Sequence, residues 1–361
     1  MTTSASAVAA VAPHPFLHRS AEGFYQPLTD RWLRPNEPLH DALVRAVAGE
    51  PIADDDVAAL RAGDWLASAT DPSRQFRLKY ASLEAHTVCN QACYFCPVSV
   101  APREDYFMPT ELYRRIVGEL GRYRDTIEAV FMINYNEPTA DRRFVDQVRW
   151  IREAGLPPAV LTNGTGLTPD RVDAVVALGG LRFLSINLST LDHQRYRLDR
   201  GHDHLDVVMR NLDHAKDKPL AEQMDIVVLG TGDENHRRDF AEIRERFAGS
   251  RFEVKLFEVM DRAGYLQVGL KPPSPHQRLC GCDNVGSRPL QHVHITPRGQ
   301  CVLCCEDYDE KYVIGDLSRE SLAAILEGDR FALMRRWVYG IEDAPADFIC
   351  RGCTFALTRP A

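Results

Sequence analysis

From Ser82 to Val259 the chain alternates short apolar runs with amphipathic ones, and no other feature limits its architecture so strongly. The run "SLEAHTV" is followed by "PTELYRRIVGELGRY", "IEAVFMINY" by "RFVDQVRWIREAG", and "PAVLTN" by "PDRVDAVVALGG". The series continues through "LRFLSINLS", "LDVVMRNLDHAK", "QMDIVVLG" and "HRRDFAEIRERFAG", and ends at "FEVKLFEV". Six strands and about five helices in this order are what parallel β/α units require, because each parallel strand needs a crossover to return to the same edge. Such a series makes either a doubly wound sheet or an incomplete β/α barrel, and periodicity alone does not choose between them.

Cysteine placement adds the chemistry. Cys89, Cys93 and Cys96 form a C-x3-C-x2-C triple followed by Pro97, and the remaining seven of ten cysteines lie between Cys280 and Cys353. Structural zinc takes four ligands, usually in two separated pairs, and disulfides take an even count, so a close triple suits neither. The triple falls just after the first strand, at the edge where β/α folds collect their active groups. That first loop carries no glycine-rich phosphate fingerprint, which argues against a dinucleotide site.

"CNQACYFC" resembles the signature of the radical S-adenosylmethionine (radical SAM) superfamily, and the six β/α units resemble that family's partial (β/α)6, TIM-like barrel. The resemblance implies an α/β fold and a 4Fe–4S cluster on Cys89, Cys93 and Cys96. Three thiolates leave one iron open to the amino and carboxylate groups of SAM. One-electron cleavage of SAM would then yield a 5′-deoxyadenosyl radical able to take hydrogen from an unactivated carbon. It further implies a flavodoxin- or ferredoxin-type reductant. Phe95 matches the family's aromatic beside adenine. In "YNEP", Glu137 and Pro138 match a Gly-Gly-Glu-Pro turn that meets the SAM amino group, while Tyr135 and Asn136 replace both glycines. Asn163 in "LTNG", Ser189 after the fourth strand and Arg200 in "DRG" match further SAM-contacting positions. An Arg there suits a carboxylate through its planar fork.

The C-terminal hundred residues resemble the SPASM or twitch domains appended to some radical SAM enzymes. The hairpin "HVHITPRGQCVL" turns at Gly299, whose distance from Cys304 fits the glycine that precedes one ligand in those domains. The resemblance implies one auxiliary 4Fe–4S cluster on Cys282, Cys304, Cys350 and Cys353, with Cys280 able to replace Cys282. A terminal C-x2-C with a distant pair is also compatible with structural zinc. Cys280, Cys301 and Cys305 are then surplus. A buried spare thiol usually packs as a small hydrophobe, yet a positioned one can return a hydrogen atom to a substrate radical.

Four segments follow: a disordered tail over 1–13, an N-terminal helical unit over 14–81, the barrel over 82–262 and the cluster domain over 263–361. In the second, "LHDALVRAVAGEPIADDDVAALRAGDWLAS" predicts two helices, with Asp54, Asp55 and Asp56 capping the second and favoured by its dipole. The unit resembles winged-helix peptide-recognition units of radical SAM peptide maturases; a simple cover for the open barrel edge fits equally. With 45% hydrophobic residues and a formal charge of −8, the chain has a substantial core and lacks the clustered basic surface that nucleic-acid binding requires. Neither a basic-flanked signal nor a membrane span is present, and ten cysteines without an export signal predict a reducing, cytoplasmic setting.

Three activities fit. The surplus thiols favour epimerisation of a sugar or glycosylated natural-product intermediate, of the kind met in antibiotic biosynthesis, with Cys280, Cys301 or Cys305 as hydrogen donor. Dehydrogenation of a carbohydrate or aminocyclitol alcohol would use the auxiliary cluster as electron acceptor. Maturation of a ribosomal peptide would give the N-terminal unit a leader to bind.

Overall fold

The computed structural model describes residues 11–358 except Gln267 and Pro273. Residues 1–10 of the expected tail lie outside the described residues. Residues 11–13 are tied down: Pro13 bridges Leu66, and Ala67 N–H donates to the Ala12 carbonyl at 2.9 Å.

The N-terminal unit is not purely helical. Strands β1 (His18–Ser20), β2 (Gly23–Gln26) and β3 (Arg31–Leu33) form an antiparallel sheet in that order, followed by α1 (His40–Val47) and α2 (Asp54–Ala62). Strands of three or four residues carry too few alternations to register as period two, which is why the sequence suggests helices alone. Phe24, Leu33, Leu43, Leu60 and Trp65 close a small separate core. Gly23 is required, because a Cβ there would lie 2.2 Å from the Leu33 carbonyl oxygen. The three aspartates occupy the first turn of α2, where the dipole favours them, but Ala53 is the N-cap and no side chain caps the helix.

The barrel begins at β4 (Tyr80–Leu83) and continues with α3 (Pro97–Val100), α4 (Thr110–Gly121), β5 (Ala129–Phe131), α5 (Phe144–Glu153) and β6 (Pro158–Thr162). Then come α6 (Pro169–Ala177), β7 (Leu181–Asn187), α7 (His193–Arg200), α8 (Leu205–Ala215), β8 (Ala221–Gly230), α9 (Glu234–Arg246) and β9 (Phe252–Glu258). All six strands pair in parallel with their sequence neighbours. Ala81, Leu83, Val130, Val160, Leu184 and Ile226 are fully buried in the main core. Alternate residues such as Ser82, Phe131 and Asn187 therefore face the other way, the period-two consequence of a strand. The barrel is partial: its sheet ends at β9 without closing.

The C-terminal domain comprises β10 (Leu279–Cys282), α10 (Arg288–Gln291), β11 (His292–Ile295), β12 (Gln300–Val302), β13 (Val313–Asp316), α11 (Leu322–Leu326), α12 (Asp329–Val338) and β14 (Ala356–Thr358). The hairpin turns at Gly299 with φ 84°, in the left-handed region that favours glycine. The domain is not a detached appendage: β11 pairs in parallel with β4, so one nine-stranded sheet runs β13-β12-β11-β4-β5-β6-β7-β8-β9. The N-terminal unit docks on this domain through His18 Nε2 to Tyr339 OH (2.8 Å) and Gln291 Nε2 to Tyr25 OH (2.8 Å). Among the described residues no helix is long and apolar enough to cross a membrane.

Candidate active site

After β4 the backbone leaves the ladder and is pinned across the strand ends. Val88 O accepts from Glu137 N–H (2.9 Å), Ala92 N–H donates to Arg200 O (2.9 Å) and Tyr94 N–H to Asp199 O (3.2 Å). This path brings the three thiols together: burial pushes Cys89 up to about 12 and also raises Cys96, and the neighbouring thiols Cys93 and Cys96 add to the first shift and Cys93 to the second. Buried thiols of this kind become thiolates only against a metal charge.

The residues matched to SAM contacts converge on the same loop, with divided roles. Arg200 is 1% exposed and donates from Nη2 to Asn187 Oδ1 and Ser189 Oγ, both at 2.7 Å. Its Nη1 lies 3.8 Å from Cys93 Sγ, and its Cζ sits 5.1 Å from the Phe95 ring centre. Its Nε is buried without a partner. A buried guanidinium with an orphaned donor beside a cysteine triple suits an anion at that spot, and so fits a cluster carrying a carboxylate ligand. Asn163 Nδ2 donates to Asn90 Oδ1 (2.8 Å), within the cysteine loop.

Glu137 is not open towards this space. Its Oε1 accepts from Thr139 N (3.0 Å), Thr139 Oγ1 (2.5 Å) and Thr162 Oγ1 (2.6 Å), and its Oε2 from Asn163 N (2.8 Å). Its carboxylate fastens the end of β6 to the cysteine-side turn instead of presenting a free oxygen.

A second cavity lies in the C-terminal domain. Cys282, Cys304, Cys350 and Cys353 line it together with Asn284, Arg288 and Glu306, whereas Cys280, Cys301 and Cys305 do not. Burial raises the pKa of each of the four thiols, and neighbouring thiols raise Cys304, Cys350 and Cys353 further. Among the described residues no three His, Cys, Asp or Glu side chains are grouped as the ligands of a single metal ion would be. Four buried thiols lining one cavity supply the four cysteine ligands that a closed 4Fe–4S cluster takes.

The surplus thiols part company. Cys301 is fully buried in the main hydrophobic core, and Cys280 lies on β10. Only Cys305 reaches the polar region at the barrel mouth, beside Glu84, Arg103, Tyr135 and Tyr308.

That region contains the residues sequence reasoning missed. Arg262 and Glu306 form an ion pair at 3.4 Å, with the Glu306 side chain 5% exposed and the Arg262 side chain 33%. Burial opposes the Arg262 charge, but Glu306, Tyr135, Cys305 and Cys96 raise its pKa. The Glu306 charge raises Cys304, Cys350 and Cys353. The pair thus stands between the two cysteine sets. Arg262 and Ala263 hold φ of 57° and 55°, uncommon for residues with a Cβ. Tyr135, where the family has glycine, donates its OH to the Cys305 carbonyl and packs on Tyr308 at 4.7 Å. Arg103 pairs with the buried Glu84, whose Oε1 also accepts from Tyr135 N at 3.0 Å. Glu306, two residues past Cys304 in "CCEDY", carried a readable signal; Arg103 and Arg262 carried none.

Comparison with known proteins gives the same division. The radical SAM superfamily model matches residues 83–244, and the SPASM model, an iron–sulfur cluster-binding domain, matches 282–354. A tungsten-containing aldehyde ferredoxin oxidoreductase cofactor-modifying protein of Pyrococcus furiosus is 28% identical over 102 residues, and the match spans 28% of each chain. The S-adenosyl-L-methionine-dependent 2-deoxy-scyllo-inosamine dehydrogenase of Niallia circulans is 22% identical over 278 residues, 75% of this chain and 90% of that one. Among solved structures, Streptococcus suis SuiB bound to precursor peptide SuiA superposes with TM-score 0.55 at 11% identity, over 95% of this chain and 93% of that one, a likeness of fold. Each cysteine set falls within one of the two matched domains, and the chain belongs to the radical SAM superfamily, as an enzyme with a SPASM iron–sulfur domain whose cofactors are SAM and 4Fe–4S clusters.

Proposed function

We propose that this enzyme dehydrogenates a carbinol carbon of a small polar substrate, an aminocyclitol or amino sugar. In this reading Cys89, Cys93 and Cys96 hold the SAM-binding cluster, and Cys282, Cys304, Cys350 and Cys353 hold an auxiliary one. The observation that carries it is the Arg262–Glu306 pair between the two cysteine sets. Its Arg262 guanidinium, a third exposed and anchored by the buried Glu306, offers a substrate a cation for a hydroxyl oxygen. The Niallia circulans relative, a dehydrogenase of 2-deoxy-scyllo-inosamine, supports this choice over epimerisation.

The groups that Cys89, Cys93 and Cys96 and the four C-terminal cysteines would hold would supply the hard chemistry, namely removal of a hydrogen atom from the carbon through SAM and acceptance of one electron as the hydroxyl loses its proton. The chain's own side chains orient and exclude. Arg200, held by Asn187 and Ser189, would offer its unpartnered Nε to the SAM carboxylate. Phe95, under the Arg200 guanidinium, would stand beside adenine, and Asn163 steadies the cysteine loop through Asn90. Tyr135 and Tyr308 pack together over the mouth and restrict water. A flavodoxin- or ferredoxin-type protein supplies the initiating electron.

Anaerobic turnover in deuterated water, with 2-deoxy-scyllo-inosamine and a panel of amino sugars, tests the reading. Dehydrogenation yields one ketone per 5′-deoxyadenosine and no solvent deuterium at carbon. Deuterium at an inverted carbon, lost in Cys305→Ala, would instead establish epimerisation through the thiol at the barrel mouth.

Peptide maturation is the second reading, favoured by the SuiB-like superposition across the N-terminal unit and by β3, an edge strand carrying the 39%-exposed Trp32. A peptide encoded beside the gene that binds and changes Trp32 fluorescence would support it.

A further inference from the structure

We infer that Arg288 is the counter-charge of the auxiliary cluster and holds that cluster's reduction potential up. The inference rests on the auxiliary-cluster reading above and goes beyond it by assigning a residue that ligates nothing.

Arg288 opens the short helix α10 and lines the four-thiol cavity. Among the described residues that line it, only Arg288 and Glu306 carry a formal charge, and Glu306 is paired with Arg262. The Arg288 partners are neutral. Nη2 donates to Asn284 Oδ1 at 3.2 Å, Nη1 meets His292 Nδ1, and Nε is buried with no partner. Because a guanidinium can only donate, His292 must accept at Nδ1, which leaves its Nε2–H to donate to Ser82 Oγ at 2.9 Å. His292 stacks on His294 at 4.1 Å, and burial holds both rings neutral, so neither adds charge of either sign.

A guanidinium with neutral partners and an orphaned donor is poorly satisfied unless an anion occupies the cavity it lines. A 4Fe–4S cluster with four thiolates is such an anion, and it becomes more negative by one charge when it accepts one electron. A fixed cation at its edge favours the reduced form, and its removal lowers the potential.

The test uses the full chain with Cys89, Cys93 and Cys96 replaced by alanine, reconstituted anaerobically, so that only the auxiliary cluster titrates. Redox titration with dithionite followed by EPR is run on this parent, on Arg288→Gln and on Arg288→Lys, with iron counted in each. A lower potential in Arg288→Gln, with Arg288→Lys close to the parent, is the expected result. Loss of iron in Arg288→Gln with full iron in Arg288→Lys would also support the role, since Arg288→Lys keeps the positive charge that Arg288→Gln removes. Equal potentials in Arg288→Gln and the parent at equal iron would overturn it, as would loss of iron from both variants, which points to shape instead of charge. A parent that holds no iron would overturn the auxiliary-cluster reading itself, an outcome distinct from the others.

Discussion

Replacing Glu137 with glutamine tests whether this residue meets SAM or builds the place where SAM sits. The substitution changes almost no volume, so its effect follows from the four hydrogen bonds the carboxylate accepts. If the amide oxygen stays at the Oε1 position, the NH2 group faces the Asn163 N–H and leaves a buried backbone donor unsatisfied. If the amide flips, the hydroxyls of Thr139 and Thr162 can rotate to accept, but the Thr139 N–H is orphaned. Either way one buried N–H loses its partner, at about 1–3 kcal/mol, and the remaining bonds lose their charge assistance. The sum is about 2–4 kcal/mol of stability. Urea unfolding of Glu137→Gln should show the midpoint falling at unchanged slope, while SAM affinity, measured by equilibrium dialysis on reconstituted enzyme, falls less than about tenfold. Stability within about 0.5 kcal/mol of wild type, with SAM binding abolished, would refute the reasoning and make Glu137 a direct ligand.

Other outcomes follow from the same geometry. Cys282→Ser should lose about half of the reconstituted iron, whereas Cys301→Ser should keep all of it yet unfold about 1–3 kcal/mol more easily, because it puts a hydroxyl into the apolar core; iron analysis with urea titration separates the two. Arg335, fully buried, donates to the carbonyls of Ser73, Pro289 and Leu326, so Arg335→Met should destabilise by about 3 kcal/mol; a variant at least as stable as wild type would show that its desolvation outweighs its bonds. Burial lowers the His18 pKa to about 4, so between pH 6.5 and 4 the unfolded chain binds the extra proton. Stability conferred by His18 is therefore complete above pH 6.5 and falls on acidification through that window, by up to about 1.4 kcal/mol per pH unit, and His18→Gln should flatten the slope in near-UV circular dichroism melts.

The barrel was legible because six strand and helix repeats accumulate period two and period 3.6 over long stretches. The cysteine triple was legible because its spacing is local. What stayed hidden depends on pairing between distant segments. Nothing in "HVHI" reveals that β11 adds in parallel to β4, and so nothing in the linear chain brings Glu306 to Arg262. The N-terminal strands were too short for a pattern. The Asp54–Asp56 run suggests a cap but forms the first turn, a one-residue displacement at a helix end. The choice of Cys282 over Cys280 was open on the chain; alternate residues of β10 lie two apart, yet a bulge between Leu279 and Gly281 shifts the register, and only Cys282 lines the cavity.

The central claim is that two separate cysteine sets hold two clusters. The most direct measurement is iron and sulfide content with EPR on anaerobically reconstituted protein, wild type beside the Cys89, Cys93 and Cys96 triple alanine variant. The account predicts about eight irons in wild type and about four in the variant, the latter with a signal indifferent to added SAM. Zinc in place of iron, or no metal at all in the variant, would contradict it and remove the electron acceptor on which dehydrogenation depends.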